Sequence, residues 1–305
     1  MNHFPPVKRL DIPYPRALEP DEYASPTMHT QPRQSIAFWF ASNFLPGPLA
    51  IGFLGPLQGL DFWQSVLAII PAILLGSLVA RRQPFIPCAI LLLPLALVLH
   101  TVHLQILVRM AIHLLPGTPQ HWLLLAVALS ALLAFIGPPL LYRLLALLAP
   151  LLALVLVLLG FAAPLLLEAD TAQRQPGFSW SAFTALAVAA ALWQILLPAL
   201  VNQGPAHYLG LSLPALGLMC LGALMASAIP AVDTVLSLRL LGERIIPGLG
   251  SATLALLALC MLGAMAVQGR ALVTALAARP RKTKARVLLL AGFVMSLLLT
   301  WVPLY

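Results

Sequence analysis

The 305 residues are 61% hydrophobic and only 9% charged, with a mean hydropathy of +0.97 and a net charge of +8. A soluble domain carries roughly 25% charged residues, so this composition excludes a soluble globular protein and describes an all-α polytopic membrane protein. The positive charge lies in short loops, without a basic patch of interleaved aromatics, which argues for the lipid bilayer and against nucleic acid as the partner.

Residues 1–35 are Pro-rich and mixed in charge, with Lys8, Arg9, Arg16 and Arg33 against Asp11, Glu19, Asp21 and Glu22. A signal peptide needs a basic start followed by an apolar run; this segment reads instead as a mobile cytoplasmic tail, followed by a membrane domain over 36–305. With about 20 apolar residues per crossing, that domain divides into about nine spans. The first, near 36–56, contains Ser42-Asn43-Phe44-Leu45-Pro46-Gly47-Pro48. Prolines remove backbone donors and clash with the preceding turn, and in hydrocarbon the freed groups must face protein, water or a ligand. The segment therefore reads either as a binding site at a broken helix or as a simple proline kink.

Span 2 falls near 62–80. Span 3, near 86–115, is long enough to tilt or to kink at Pro94. Span 4, near 122–141, ends at Gly137-Pro138-Pro139, and spans 5, 6 and 7 fall near 144–167, 178–203 and 209–230. Residues 231–249 carry Asp233, Arg239, Glu243 and Arg244 and read as an interfacial helix, before span 8 near 250–272 and span 9 near 286–304. With the N-terminus inside, twelve of the 17 Lys and Arg residues fall in inner segments and three in outer loops. The positive-inside rule then sets the N-terminus in the cytoplasm of a cell (inner) membrane.

Spans 1 and 6 each combine Trp, an amide and Pro: Trp39, Asn43 and Pro46 in one, Trp193, Gln194, Pro198 and Asn202 in the other. Interrupted helices at matching positions of two halves mark an inverted-repeat transporter and its binding site. The remaining polar groups say less. Cys88, Cys220 and Cys260 lie in apolar runs without metal spacing. Span 3 sets Gln105, Arg109 and His113 on one face and His100 and His103 on the opposite one. Two His at this spacing lack the further ligands a metal needs. All nine acidic residues lie in the tail, loops or the interfacial segment, leaving no mid-membrane carboxylate relay. Arg109 and Arg270 sit near span ends, where such chains snorkel; Arg270 can alternatively face the central cavity from beside Gln268. The basic loop Arg279 to Arg286 suits anionic lipid. No nucleophile, acid/base pair or phosphate loop stands out, so an enzyme is disfavoured.

The order of segments resembles the nucleobase–cation symporter family, which includes cytosine permeases and hydantoin or hydroxymethylpyrimidine transporters. The stretches that carry it are WFASNFLPGPLAIGFLGPLQGLDFWQSVLA from Trp39, with its turn Gly59-Leu60-Asp61-Phe62-Trp63, then Ile86-Pro87, Gly177 to Phe183, and Gly269 to Leu276 before a basic loop. The resemblance covers residues 35 to 305 and implies two inverted five-helix repeats with broken helices 1 and 6. Substrate would lie between these and helices 3 and 8. It implies that Trp193 stacks on a planar ring, that Asn43 contacts the ring edge, and that Gln268 matches the helix-8 position of a family Asn. Gln194, Trp39 and His100 complete the expected substrate-binding set. The chain departs from the family where His100 is the one strong polar group of LVLHTV, and where GAMAV, from Gly263, lacks the hydroxyls that hold sodium. An Asp that commonly follows span 6 is replaced by Asn202-Gln203, and about nine spans stand where the family has about twelve. The expectation is a shortened, diverged carrier for a small heterocycle, with no cofactor or metal and with sodium coupling uncertain. The alternative is a non-transporting, permease-like scaffold or sensor.

Overall fold

The computed structural model describes residues 32–82, 89–136, 138–167, 178–199, 205–228, 233–276 and 282–300. The tail over 1–31, Pro87, Gly177 and Asn202 lie outside them. All regular structure among the described residues is helical: α1 (Pro32–Ser42), α2 (Pro46–Leu57), α3 (Phe62–Arg82), α4 (Ala89–Leu114), α5 (Pro119–Ile136), α6 (Pro138–Leu167), α7 (Trp180–Ala199), α8 (Pro205–Ala228), α9 (Thr234–Ile245), α10 (Leu249–Leu276) and α11 (Lys282–Thr300). By length and composition, five of these can cross a membrane, or six when α1 and α2 count as one broken span bent by 60°. Shorter apolar helices cover Pro119–Phe135 and Trp180–Ile195. The chain is thus a multi-pass, all-α membrane protein.

The helix ends follow from local chemistry. α2 stops because Gly59 adopts φ +93°; the Leu60 amide then donates to the Gly55 carbonyl and the Gly59 amide to Pro56, which closes the helix C-terminus. Two residues on, Asp61 and Gln64 form a reciprocal capping box. The Gln64 amide donates to Asp61 Oδ1 at 2.7 Å and the Asp61 amide to Gln64 Oε1 at 3.1 Å. The Gly59–Trp63 turn is therefore a stop signal joined to a start signal. Asp233 caps α9 by accepting from the Val235 amide. α4 runs through Pro94 without interruption, and α7 is continuous from Trp180 to Ala199. Of the two expected breaks, the described residues carry the one in span 1; in span 6, α7 runs unbroken through Trp193 and Pro198 to Ala199, and Asn202 lies outside the described residues.

Small residues set how the helices approach, as in other membrane bundles. α8 lies along both α1 and α2. A Cβ on Gly210 would strike Trp39, one on Gly222 the Leu49 carbonyl, and one on Gly52 the Met219 carbonyl. The order of these meetings makes α8 parallel to the broken span across its bend. α3 and α7 also run the same way: Ser65 and Leu186 both meet Gly55, while Gly76 lies against Ala191 and Gln194. Their starts carry Trp63 and Trp180, each 71% exposed, at one level of the bundle. Aromatics at one level are what a membrane–water boundary favours. α4 packs on α5, α10 and α11, and α6 on α1, α8 and α10.

The helix ends at which α4 finishes and α10 begins are tied by polar groups of α9. The Arg239 guanidinium donates to the His113 carbonyl at 2.7 Å, and Asp233 lies 3.8 Å from His113 Nε2. Glu243 accepts from the Gly248 amide (2.6 Å), the Ser251 hydroxyl (2.9 Å) and the Ser251 amide (3.0 Å), so it covers the N-terminal donors of α10. These bonds, the Gly248 amide first, hold its carboxyl below the usual glutamate range. A carboxyl depressed in this way contributes stability that is complete above the unfolded-state value and lost as pH falls through the lower folded-state value.

Two outcomes follow. Gly222→Val should destabilise the detergent-solubilised protein by about 1–3 kcal/mol or more, the cost of overpacking a tight contact. Gly160→Ala, whose added carbon meets nothing within 4 Å, should not; thermal unfolding compares the two. Acidification below the carboxylate range should lower the protection of the Gly248 and Ser251 amides relative to their intrinsic exchange rates. Glu243→Gln should show faster exchange already at neutral pH and lose that acid dependence.

Candidate functional site

Pro46 cannot supply the amide that would bond to Ser42, nor Pro48 the one that would bond to Phe44. Proline also drives the residue before it out of helical geometry, and Leu45 is extended, at φ −118° and ψ 152°. The chain repairs the gap locally. The Asn43 amide donates to the Trp39 and Phe40 carbonyls at 3.2 and 3.3 Å, Phe44 to Ala41 at 3.2 Å, and Leu45 to Asn43 at 2.8 Å; the Ser42 hydroxyl donates to Trp39 at 3.1 Å. Of the first turn of α2, two residues are prolines and the cap amide is used, so Gly47 alone retains an amide hydrogen that needs a partner outside the helix.

This corner is deep in the protein: Ser42, Asn43, Phe44 and Leu45 are all buried. Across from it, the Trp193 indole of α7 lies directly on Gly47, in the space a side chain there would fill. Trp193 Nε1 is buried without a hydrogen-bond partner. So are Nδ2 of Asn43 and Nε2 of Gln194, whose residues are each 2% exposed. Gln194 lies against Gly76 of α3. Trp193 and Gln194, adjacent on α7, thus reach α2 and α3 respectively, and Asn43 precedes Gly47 by four residues. An unpartnered buried donor destabilises by about 1–3 kcal/mol. The described part of this corner is neutral: it holds amides, an indole and one exposed backbone dipole end, with no carboxylate or cation.

The other expected residues stand elsewhere. Trp39 is a packing anchor: its ring meets Phe38 edge-on at 4.8 Å, Phe38 stacks on Tyr142 of α6 at 4.8 Å, and α8 closes over it at Gly210. His100 is buried on α4, edge-on to Phe293 of α11 at 5.0 Å. Gln268 is half-buried on α10. The sequence reading missed Gly47 as the surface on which Trp193 rests; its signal was a glycine between two prolines. It named His103 beside His100 but left it out of the expected binding set; His103 is the most buried polar side chain of α4. Among the described residues no group of three His, Cys, Asp or Glu could hold a metal.

No protein-family model, curated protein or solved structure matches the chain.

Gly47→Val should displace the Trp193 indole, and the emission of that one tryptophan, isolated by subtracting the Trp193→Phe spectrum, should move to longer wavelength. Unchanged emission would mean that the ring does not rest on Gly47.

Proposed function

We propose that the chain is a secondary carrier for a small planar heterocycle, such as cytosine, another nucleobase or a thiamine-precursor pyrimidine. The observation that carries this reading is the buried break of span 1, where the Trp193 indole rests on Gly47, four residues after the unpartnered donor of Asn43 and next along α7 to that of Gln194. A planar ring offers a π face to Trp193 and edge acceptors to the Asn43 and Gln194 donors. The neutral corner favours an uncharged or weakly charged ring. Catalysis has no place in this reading, and neither has a metal or cofactor.

The packing of helices supports an inverted repeat. Number the apolar helical units in chain order, with α1 and α2 as one and α9 left out, and exchange each unit with the one five places on. The packing of α1/α2 on α8 becomes that of α7 on α3, and α2 on α3 becomes α7 on α8. Likewise α4 on α5 becomes α10 on α11, and α4 on α11 becomes α10 on α5. The contacts α2–α7, α3–α8, α4–α10 and α5–α11 map onto themselves. The packing of α1 on α10 and the contacts of α6 lack counterparts among the described residues. Such an exchange suits nine spans arranged as one five-helix repeat and most of its inverted copy, with a binding site near the middle. It also fits the order of segments that resembles the nucleobase–cation symporters, and an N-terminus in the cytoplasm of the cell membrane.

Cells expressing the chain should take up labelled cytosine, uracil or hydroxymethylpyrimidine. Trp193→Ala should lower uptake by about tenfold or more, since a stacked base is worth about 1–3 kcal/mol, and Asn43→Ala should lower it less. Absence of both uptake and ligand-dependent tryptophan quenching would overturn the carrier reading in favour of a permease-like scaffold or sensor.

A further inference from the structure

We infer that His100 and His103 of α4 form a proton-binding site inside the membrane domain, separate from the helix corner, and that the proton is the coupling ion of the carrier; the coupling rests on the carrier reading. His103 is 0% exposed, and neither of its ring nitrogens has a hydrogen-bond partner. His100 is 8% exposed, and its Nε2 is unpartnered as well. Residues three apart on a helix are neighbours, with Cβ atoms about 5–6 Å apart. Two imidazoles at this separation can share one proton, the imidazolium N–H donating to the free nitrogen of its neighbour. Binding the proton then satisfies nitrogens that the packing leaves unmet. An ionisable group held within a membrane bundle marks an ion or proton pathway.

The surroundings favour a proton over other cations. The described carboxylates sit at helix ends: Asp61 caps α3, Asp233 caps α9, and Glu243 covers the start of α10. On α4 itself, Arg109 and His113 lie toward the end that meets α9, His113 about 15 Å along the axis from His103. From the helices packed on α4 come His121 at the start of α5 and Cys260 within α10. α10 also carries Arg270, and α11 begins with Lys282, Lys284 and Arg286. The α9 groups Asp233, Arg239, Glu243 and Arg244 stand at the far end. No third ligand joins the pair among the described residues, which leaves a metal ion without a coordination shell. Imidazole is also the side chain whose ordinary titration falls in the physiological range.

The location suits coupling. α4 and α10 exchange with one another when the two halves of the bundle are interchanged, so their contact lies where the halves would move relative to each other. A proton entering from water on one side is held between the imidazoles, and the same proton leaves to water on the other side when the α4–α10–α11 packing opens there. On entry one O–H bond of hydronium breaks as one N–H bond forms, and on exit that N–H bond breaks as an O–H bond to water forms.

The test uses the full chain in lipid vesicles, with ring-nitrogen NMR of labelled histidine. Single His100→Gln and His103→Gln variants assign the two signals, and tryptophan emission checks that each variant is folded. The expected result is that both signals move toward imidazolium as the pH is lowered from about 8 to about 4. Uptake normalised to the rate without a gradient should rise under an inward proton gradient in the native chain, and each variant should lose that rise. Signals that stay neutral throughout would overturn the site. A gradient response that survives both substitutions would overturn the coupling. If the native chain takes up none of the heterocycles, the carrier reading fails, and the histidine signals by themselves still decide whether the proton site exists.

Discussion

Hydrocarbon offers nothing to an exposed amide or carbonyl, and that constraint acts hardest where two prolines stand two residues apart. Pro46 and Pro48 leave the Ser42 and Phe44 carbonyls without their helical donors. The chain answers with a 60° turn rather than a straight span. Once the turn exists, its backbone must be enclosed by protein. α8 follows both limbs of the bend, approaching α2 closely only because Gly52 and Gly222 have no side chain, and α7 closes the inner angle with Trp193 on Gly47. The rest of the bundle is arranged around those two enclosures.

Polar groups are treated differently at the ends of the helices and in their interior. At the ends nearly everything is matched: Asp61 with Gln64, Asp233 with Val235, Glu243 with Gly248 and Ser251, Arg239 with the His113 carbonyl. In the interior, Asn43, Trp193 and Gln194 at the corner, and His100 and His103 on α4, hold buried nitrogens without partners. Trp122 Nε1, near the start of α5, is also buried and unpartnered; the two interior groups of residues are the ones we propose as functional. The first is neutral and flat-sided, the second titratable, and they occupy different helices of the same bundle.

Much of the architecture was legible from residue chemistry. The Pro-Gly-Pro segment announced a break, Gly59 and Asp61 a stop and a start, and the charged run from Asp233 to Arg244 a helix of its own. The pairing of Asn43 with Trp193 could be suggested because each is an amide or aromatic in an otherwise apolar span. The sequence alone did not reveal that Trp39, so similar to Trp193 in its setting, is enclosed by Phe38, Tyr142 and Gly210. Side chains on one helix read alike until their neighbours are known. Nor did it reveal that His103 rather than His100 is the more enclosed imidazole, since both lie on the same face at helical spacing.

Local physics is written in the chain itself. Hydropathy over twenty residues makes a membrane helix, proline removes a donor wherever it stands, and a glycine at positive φ ends a helix, so the sequence by itself determined the all-helical membrane class and the site of the break in span 1. Which helix faces which depends on contacts between residues far apart in the chain, decided by the shape of whole helix surfaces. Only the tertiary structure therefore set Trp193 on Gly47, placed His100 against Phe293, and enclosed the imidazole pair on α4. The interchange of helix contacts on which we propose two opposed halves likewise lies in which helices pack together, not in similarity between the residues that produce it.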